Sequence, residues 1–309
     1  DLLNRLDSMT DPEGGVTQYT YDAVGNRASV SYPNGTIAEY TYDSLNRLID
    51  LENRKSTGEI LTSHSYTLGP AGNRYSVIED TGRVVAYSYD ALYRLTEERI
   101  VDPVLGTEII SYTYDAVGNR LSKNDSGGLT TYSYDANDQL LTETAPSYSH
   151  SYSYDGNGNT TGRSDGVATT VYGYDDENRL VEVQDGTTAT NYAYDVDGIR
   201  VSSQTDGTLT GYLVDGNRPY AQVLEERSGA GTLLVGYIYG DDLIRQDRSG
   251  VSNYYHYDGQ MSTRTLTDAS EAATDSYVYG AFGNVLDATG STENHYLYTR
   301  EQYDPNAGF

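Results

Sequence analysis

Along the chain, aromatic residues come in pairs two positions apart with a small residue between them, as in Tyr112-Thr113-Tyr114, and each pair is followed by Asp, Asn and Gly. Side chains alternate faces along a strand, so both rings of a pair point to one side and the residue between them to the other. The run Asp115 to Asn119 (DAVGN) then supplies turn chemistry. Its aspartate can hydrogen-bond the backbone two residues on, and its Gly-Asn step tolerates positive φ. Arg120 and Leu121 open a return strand, and a second turn signal precedes the next pair, as at Asn34-Gly35, Thr81-Gly82, Asp165-Gly166, Asp185-Gly186 and Asp206-Gly207. The apolar spacing of 3 and 4 that a helix needs is missing, so each segment predicts a β-hairpin.

The unit repeats. Its first tyrosine falls at Tyr19, Tyr40, Tyr66, Tyr87, Tyr112, Tyr132, Tyr152, Tyr172, Tyr192, Tyr212, Tyr237, Tyr255, Tyr277 and Tyr296, fourteen copies with a constant step of 20 between Tyr112 and Tyr212. The fold class expected is therefore all-β, a repeat architecture of stacked antiparallel β-hairpins with about 28 strands in a curved ribbon or open half-shell. The structural repeat tyrosines are Tyr19, Tyr21, Tyr40, Tyr42, Tyr87, Tyr89, Tyr112, Tyr114, Tyr132, Tyr134, Tyr152, Tyr154, Tyr172, Tyr174, Tyr192 and Tyr194. Residues 1–211 read as regular repeats and 212–309 as divergent ones; in the third copy Leu68 and Gly69 replace the second tyrosine and the aspartate.

Two turn classes alternate. Turns starting at Asp22, Gly69, Asp115, Asp155 and Asp195 carry an extra residue that includes a glycine; those at Asp1, Asp43, Asp90, Asp135 and Asp175 lack it. The turn residues singled out are Asp22, Gly25, Asn26, Asp115, Gly118, Asn119, Asp155, Gly158, Asp195 and Gly198. The glycine is expected in the left-handed position of a bulged turn. The alternation is then expected to set a regular difference in twist between neighbouring hairpins.

Composition changes the picture of the core. The chain has 33 tyrosines against 2 phenylalanines and no tryptophan, and a mean hydropathy of −0.62. Stacked tyrosine ladders are expected to replace an aliphatic interior, with loss of a hydroxyl costing little. In the late copies the residue between the rings becomes Leu213, Ile238, His256, Val278 and Leu297. The reverse face there should be covered by another element, sequence beyond Phe309 being one candidate.

Net charge is −26, from 46 acidic and 20 basic residues. Such a chain repels phosphate backbones, which argues against nucleic acid as a partner. The acidity reads either as solubility and edge protection of a large sheet or as a wall facing a basic protein cargo. Cysteine is absent, which removes disulfides and thiolate metal sites. No membrane span and no signal sequence is expected, and the chain opens at Asp1 inside a repeat.

Candidate chemistry is sparse. His64, His150, His256 and His295 share no spacing and read as surface imidazoles. The Asp155 and Asp195 turns superficially resemble calcium loops, but turn chemistry explains their residues. Arg27, Arg47, Arg74, Arg94, Arg120, Arg179 and Arg200 recur at the turn exits, suited to pairing with the turn aspartates or to stacking on the tyrosines. No catalytic residue, metal or cofactor is assigned.

The Y-x-Y-D-x-x-G-N-R-L unit resembles the tyrosine-aspartate (YD) repeat of the Rhs family, which includes bacterial polymorphic toxins, shell components of insecticidal toxin complexes and the extracellular teneurins. The resemblance covers essentially the whole chain. It implies a hairpin spiral that winds into a hollow barrel or cocoon, enclosing a C-terminal effector in the toxins and serving as an adhesion or interaction scaffold in the teneurins. It also implies a secreted or cell-surface location, with the remainder of a longer polypeptide as the principal partner and edge-to-edge self-association of a truncated piece. YGAFGNVL and REQYDPNAGF, which follow Tyr277 and Tyr296, resemble the entry to the Rhs-associated core. Asp304-Pro305 matches only the beginning of that core, so no catalytic role passes to it.

Overall fold

The computed structural model describes residues 1–218 and 220–308; Pro219 and Phe309, the end of the predicted core-entry motif, lie outside them. Among the described residues there are twenty-seven strands and one short 3-10 turn, Tyr298–Arg300, with no α-helix. Every described strand pairing is antiparallel, as between Val16–Tyr21 and Arg27–Ser31, or between Ile37–Tyr42 and Leu48–Arg54. Twenty-seven agrees with the expected count of about 28: Ser8–Thr10 adds one strand before the first copy, and the last copy supplies no pair of strands. There Tyr296 makes only an isolated bridge with Gln302, because the tight turn at Tyr298–Arg300 replaces a hairpin.

The bulge expected at the glycine turns forms in hairpins of both turn classes. Tyr19 pairs with Val30 and Thr20 with Ser29, but Tyr21 pairs with Arg27, so Ala28 is extra on the return strand. The same slip falls before Tyr42, Tyr134, Tyr154, Tyr174 and Tyr194. A bulge bends and twists its strand, and here it recurs in both turn classes.

The two classes share one backbone, which removes the expected difference in twist. In the glycine class, Asp22 N–H donates to the Asn26 carbonyl at 2.9 Å and Gly25 N–H to the Asp22 carbonyl at 3.2 Å. In the other, Asp43 N–H donates to the Arg47 carbonyl at 2.9 Å and Asn46 N–H to the Asp43 carbonyl at 3.0 Å. The aspartate carboxylate also accepts local amides in both: Val24, Gly25 and Asn26 on Asp22, Leu45 and Arg47 on Asp43. This is a type I turn closed by a left-handed residue. That residue is Gly25, Gly72, Gly118, Gly158 or Gly198 in one class and Asn4, Asn46, Tyr93, Asp138 or Asn178 in the other. No residue is inserted; the motif is displaced by one position, so that Arg follows the left-handed residue directly in one class and after an asparagine in the other. Gly69 keeps the same closure, donating to the Asn73 carbonyl at 2.7 Å. A side chain there would meet Asn73 and Tyr75 within 3 Å.

The chain divides into two compact units, one of residues 1–87, 100–107 and 235–303, the other of 88–99, 108–234 and the segment from Asp304. In the first unit the strands Leu243–Arg248, Val251–Tyr257 and Thr263–Thr267 are buried on both faces. One face meets the first hairpins: Ile244 and Tyr254 join Tyr19, Val30, Tyr32, Ala38 and Leu51 in one core, and His256 stands edge-on to Tyr32 at 5.1 Å. The other face meets the segment around Tyr296, with Tyr255 donating to Asn294 at 2.9 Å and Thr263 to the Tyr296 carbonyl at 2.7 Å. The cover expected over the late reverse face is thus, at His256, the chain's own N-terminal hairpins. Ile238, Val278 and Leu297 are half-buried, and Leu213 remains 51% exposed. In the second unit Tyr172, Val183, Tyr192 and Ala307 form one buried cluster.

If the left-handed position governs turn stability, the two classes should respond oppositely to substitution. Gly118, at φ 112° with open space around it, should lose about 1 to 2 kcal/mol on replacement by alanine. Tyr93, at φ 60° and exposed, should gain up to about 1 kcal/mol on replacement by asparagine or glycine. Denaturant unfolding midpoints of the two variants check both signs.

Candidate functional site

The face that carries the paired rings is the surface with the most chemistry. Of the first tyrosines, Tyr19, Tyr112, Tyr132, Tyr172 and Tyr192 are buried, whereas Tyr40, Tyr87 and Tyr152 are half-buried. The second tyrosines, Tyr21, Tyr42, Tyr89, Tyr114, Tyr134, Tyr154, Tyr174 and Tyr194, are half-buried. The intervening residues face away, where they pair hydroxyl to hydroxyl, as Thr20 with Ser29 and Ser133 with Thr142, both at 2.6 Å.

Successive first tyrosines are separated by a return strand, and two strand spacings are about 9.6 Å. That is too far for ring-on-ring stacking, which needs centroids within about 7 Å. What stands between them is the residue paired with each ring: Val30, Leu51, Val77 and Val183 in some hairpins, Lys123, Glu143 and Arg163 in others. The interior is therefore tyrosine interleaved with aliphatic or charged side chains, a correction to the expected pure ladder of rings.

Arginines of both turn classes lie over rings, Arg5 over Tyr21 at 4.3 Å and Arg94 over Tyr114 at 5.1 Å included, but they differ in their further partners. After a glycine turn the arginine reaches between rings: Arg27 lies 5.7 Å from Tyr19 and 5.8 Å from Tyr40, Arg120 6.0 Å from Tyr112 and 4.5 Å from Tyr132, and Arg200 5.0 Å from Tyr192 and 5.7 Å from Tyr212. After the other turns it pairs with its own aspartate, as Arg47 with Asp43, Arg94 with Asp90 and Arg179 with Asp175. Arg47 and Arg94 also donate to the Gly69 and Asp115 carbonyls of the next turn. The glycine turns reach the next turn through asparagine instead: Asn26 donates to Asn46, Asn119 to Asp138 and Asn159 to Asn178. Chemistry alternates where backbone does not.

A second tie recurs in both turn classes. The second tyrosine's hydroxyl donates to a carbonyl of the preceding hairpin: Tyr21 to Leu6, Tyr114 to Leu95, Tyr134 to Arg120, Tyr154 to Leu140, and Tyr194 to Leu180, all at 2.7 to 2.9 Å. Strand pairing between Arg120–Asp125 and the next strand starts only at Ser122, so the Arg120 carbonyl lies outside the ladder and the phenol satisfies it. At these positions loss of the hydroxyl therefore strands a carbonyl, contrary to the expectation that it costs little.

The turn carboxylates are engaged locally. Asp155 accepts the Asn157 and Asn159 amides through one oxygen and the Asn159 side chain through the other, and Asp195 accepts the Asp197 and Ile199 amides. Among the described residues no group of three His, Cys, Asp or Glu converges on a metal-sized point. The Asn159 side chain at Asp155, and the Arg47 side chain at Asp43, hold these carboxyls below their usual range.

Sequence reasoning misplaced two histidines and missed three buried cations. His64 and His256 are buried within the first unit. Burial lowers His256 to about 3, and burial together with Arg264, Arg74 and Arg83 pulls His64 well below its ordinary value. Arg83, Arg245 and Arg264 lie away from the Asp turns that defined the repeat arginines, and their side chains are almost wholly covered. Arg245 reaches Asp11 at 2.6 Å, and Arg83 and Arg264 share Glu79 at 2.9 and 3.0 Å. Arg83 meets Glu79 across one hairpin turn, whereas only the tertiary fold brings Arg264 to Glu79 and Arg245 to Asp11.

The buried imidazoles set an acid limit. Unfolded histidine takes up a proton near pH 6.5, whereas folded His256 stays neutral down to about 3. The unfolded state thus binds more protons below pH 6.5, and stability should fall as pH drops from 6.5 toward 4, by up to about 1.4 kcal/mol per unit for each such histidine. The turn carboxylates, whose folded values are depressed, add a further loss below about pH 4. Unfolding midpoints between pH 7.5 and 4.5 should show the first slope, and His256→Gln should reduce it.

Comparison with known proteins places this repeat. The family profile described as RHS Repeat matches residues 1–37 and 114–150. Over 91 residues the chain is 31% identical to the tRNA3(Ser)-specific nuclease WapA of Bacillus spizizenii, covering 28% of this chain and 4% of that protein. The crystal structure of TcdB2-TccC3-Cdc42 matches 94% of this chain and 19% of that chain, with a TM-score of 0.51 and 16% identity. A Photorhabdus luminescens Tc holotoxin pore carrying a TccC3 mutation gives the same values. The chain spans under a fifth of each relative, and the structural likeness carries the fold alone. With the tyrosine pairs, the Asp turns and the all-β hairpin array, these matches show that the chain carries RHS repeats and support its reading as a protein of the Rhs, or YD-repeat, kind.

Proposed function

We propose that this chain is a non-catalytic structural segment of a longer Rhs protein, in which residues 1–211 supply regular wall and 212–309 lead into the Rhs-associated core. Its aromatic face receives other polypeptide of the same protein, and a C-terminal effector is the expected cargo. One observation supports this above others: the segment Asp304 to Gly308 lies on the aromatic face of the second unit. Asp304 pairs with Arg200 at 2.7 Å, the Tyr172 hydroxyl reaches the Ala307 carbonyl at 3.4 Å, and Ala307 packs with Tyr172, Val183 and Tyr192. A face of phenols and guanidiniums can hold polar main chain without demanding one sequence.

The location proposed is secreted or cell-surface, by family; among the described residues no helix is long and apolar enough to cross a membrane. A teneurin-like adhesion scaffold is the second reading. The exposed strand Val285–Thr289, with Val285 and Leu286 uncovered, favours association through a strand edge.

Limited proteolysis of the parent protein separates these readings. Encapsulation predicts that sequence downstream of the core resists protease while the repeats stay folded and becomes labile once they are denatured. Downstream sequence digested at the rate of an isolated unfolded chain would contradict it, and cell-surface binding by the repeats alone would favour the scaffold.

A further inference from the structure

The sequence contains two Asn-Gly steps, Asn34-Gly35 and Asn157-Gly158. Without a Cβ, glycine leaves its backbone nitrogen open to the side chain before it. Once that nitrogen has lost its proton to solvent it can attack the asparagine Cγ. The new C–N bond closes a five-membered succinimide, the Cγ–Nδ2 bond breaks, and Nδ2 leaves as ammonia. One water then opens the ring to aspartate or isoaspartate. The reaction needs a side-chain amide that is free to turn and to depart.

The fold holds the two steps differently. In both, the glycine N–H lies on a carbonyl of its own turn, Gly35 on Tyr32 at 3.0 Å and Gly158 on Asp155 at 3.2 Å, so the difference is in the asparagine side chain. Asn157 is exposed in the turn after Ser149–Tyr154, and its Nδ2 donates to Asn178, itself exposed, at 2.9 Å. Asn34 sits between the strands Arg27–Ser31 and Ile37–Tyr42 and is engaged at both ends of its amide. Its Oδ1 accepts the Thr36 amide at 3.2 Å and the Thr36 hydroxyl at 2.7 Å. Its Nδ2 donates to the Thr267 hydroxyl at 3.1 Å and to the Asp268 carbonyl at 2.9 Å. Thr36 and Thr267 are fully buried. Departure of Nδ2 therefore requires the N-terminal hairpin to part from the end of the strand Thr263–Thr267, a local opening within the first unit.

The product does not fit back. An aspartate at this position has no N–H for the Asp268 carbonyl and sets a carboxylate against it, which leaves a buried acceptor unmet. Glu271 adds like charge: a Cβ on Gly35 would stand 2.9 Å from one of its carboxylate oxygens. Isoaspartate lengthens the main chain inside a tight turn.

We propose that Asn34 is a modification site that works as a one-way latch. It deamidates when the N-terminal hairpin separates from the strand Thr263–Thr267, and the first unit then closes less firmly. Asn157, outside that contact, deamidates in the folded chain. The latch is independent of what the aromatic face carries.

Peptide mass mapping of both sites in the full chain, incubated at mildly alkaline pH, tests the proposal. In the folded chain Asn157 is expected to convert at least about tenfold faster than Asn34, the ratio set by the opening free energy; in denaturant the two should convert at similar rates. Asn34 converting as fast as Asn157 in the folded chain would overturn the latch. Thr267→Val, which removes the hydroxyl that Asn34 grips, should raise the Asn34 rate and leave the Asn157 rate as it was; an unchanged Asn34 rate would count against it. Asn34→Asp should lower the unfolding midpoint by about 2 to 4 °C, and a midpoint equal to that of the unmodified chain would contradict the one-way step.

Discussion

Two strand spacings separate equivalent residues of neighbouring hairpins, and no aromatic ring spans about 9.6 Å. An array built from tyrosine must therefore bridge that gap with something longer or place something between. Both solutions are used. The second phenol reaches its hydroxyl to a carbonyl that the ladder leaves over, as Tyr134 does to Arg120, and the arginine that follows a glycine turn fills the space between first rings, as Arg120 does between Tyr112 and Tyr132. Tyrosine is used where phenylalanine would supply the same area because the hydroxyl is the part that crosses between hairpins.

The turns answer the same constraint at the rim. A left-handed residue closes each of them, and whichever residue follows decides how the next turn is reached. Asparagine in that place bridges side chain to side chain, from Asn26 to Asn46, whereas arginine reaches the next main chain, from Arg47 to Gly69. The turn aspartates spend their oxygens on local amides and arginines, which holds their carboxyls below the usual range and keeps them ionised.

Hairpins, the shared face of the tyrosine pairs and the Asp turn could be read from local pattern, because each is a matter of residues within about ten positions. Counting each turn from its aspartate to its arginine concealed that the two classes have equal length, since Arg27 and Arg47 occupy successive positions in one geometry. The residues interleaved between rings, Val30, Leu51 and Val183 among them, recur at a fixed distance from the turn and were open to the same reading. Burial of His64 and His256 was not. It arises when the first hairpins pack on strands near residues 243–267, and nothing local marks which reverse face will be covered. The aromatic face, as candidate site, was visible; the segment at Asp304 that occupies part of it was visible only as a turn.

A wall of this kind needs no large aliphatic centre, since each hairpin is tied to its neighbour and stability grows by addition. Such a surface suits a role in holding polypeptide, with chemistry left to whatever accompanies it. The tie itself is tested most directly by removing one oxygen atom. Tyr134→Phe and Tyr194→Phe keep ring and area but leave the Arg120 and Leu180 carbonyls without their phenol. Each is expected to lower unfolding free energy by about 1 kcal/mol, measured by denaturant titration; stability equal to that of the unmodified chain in both variants would mean that the hydroxyls do not join the hairpins.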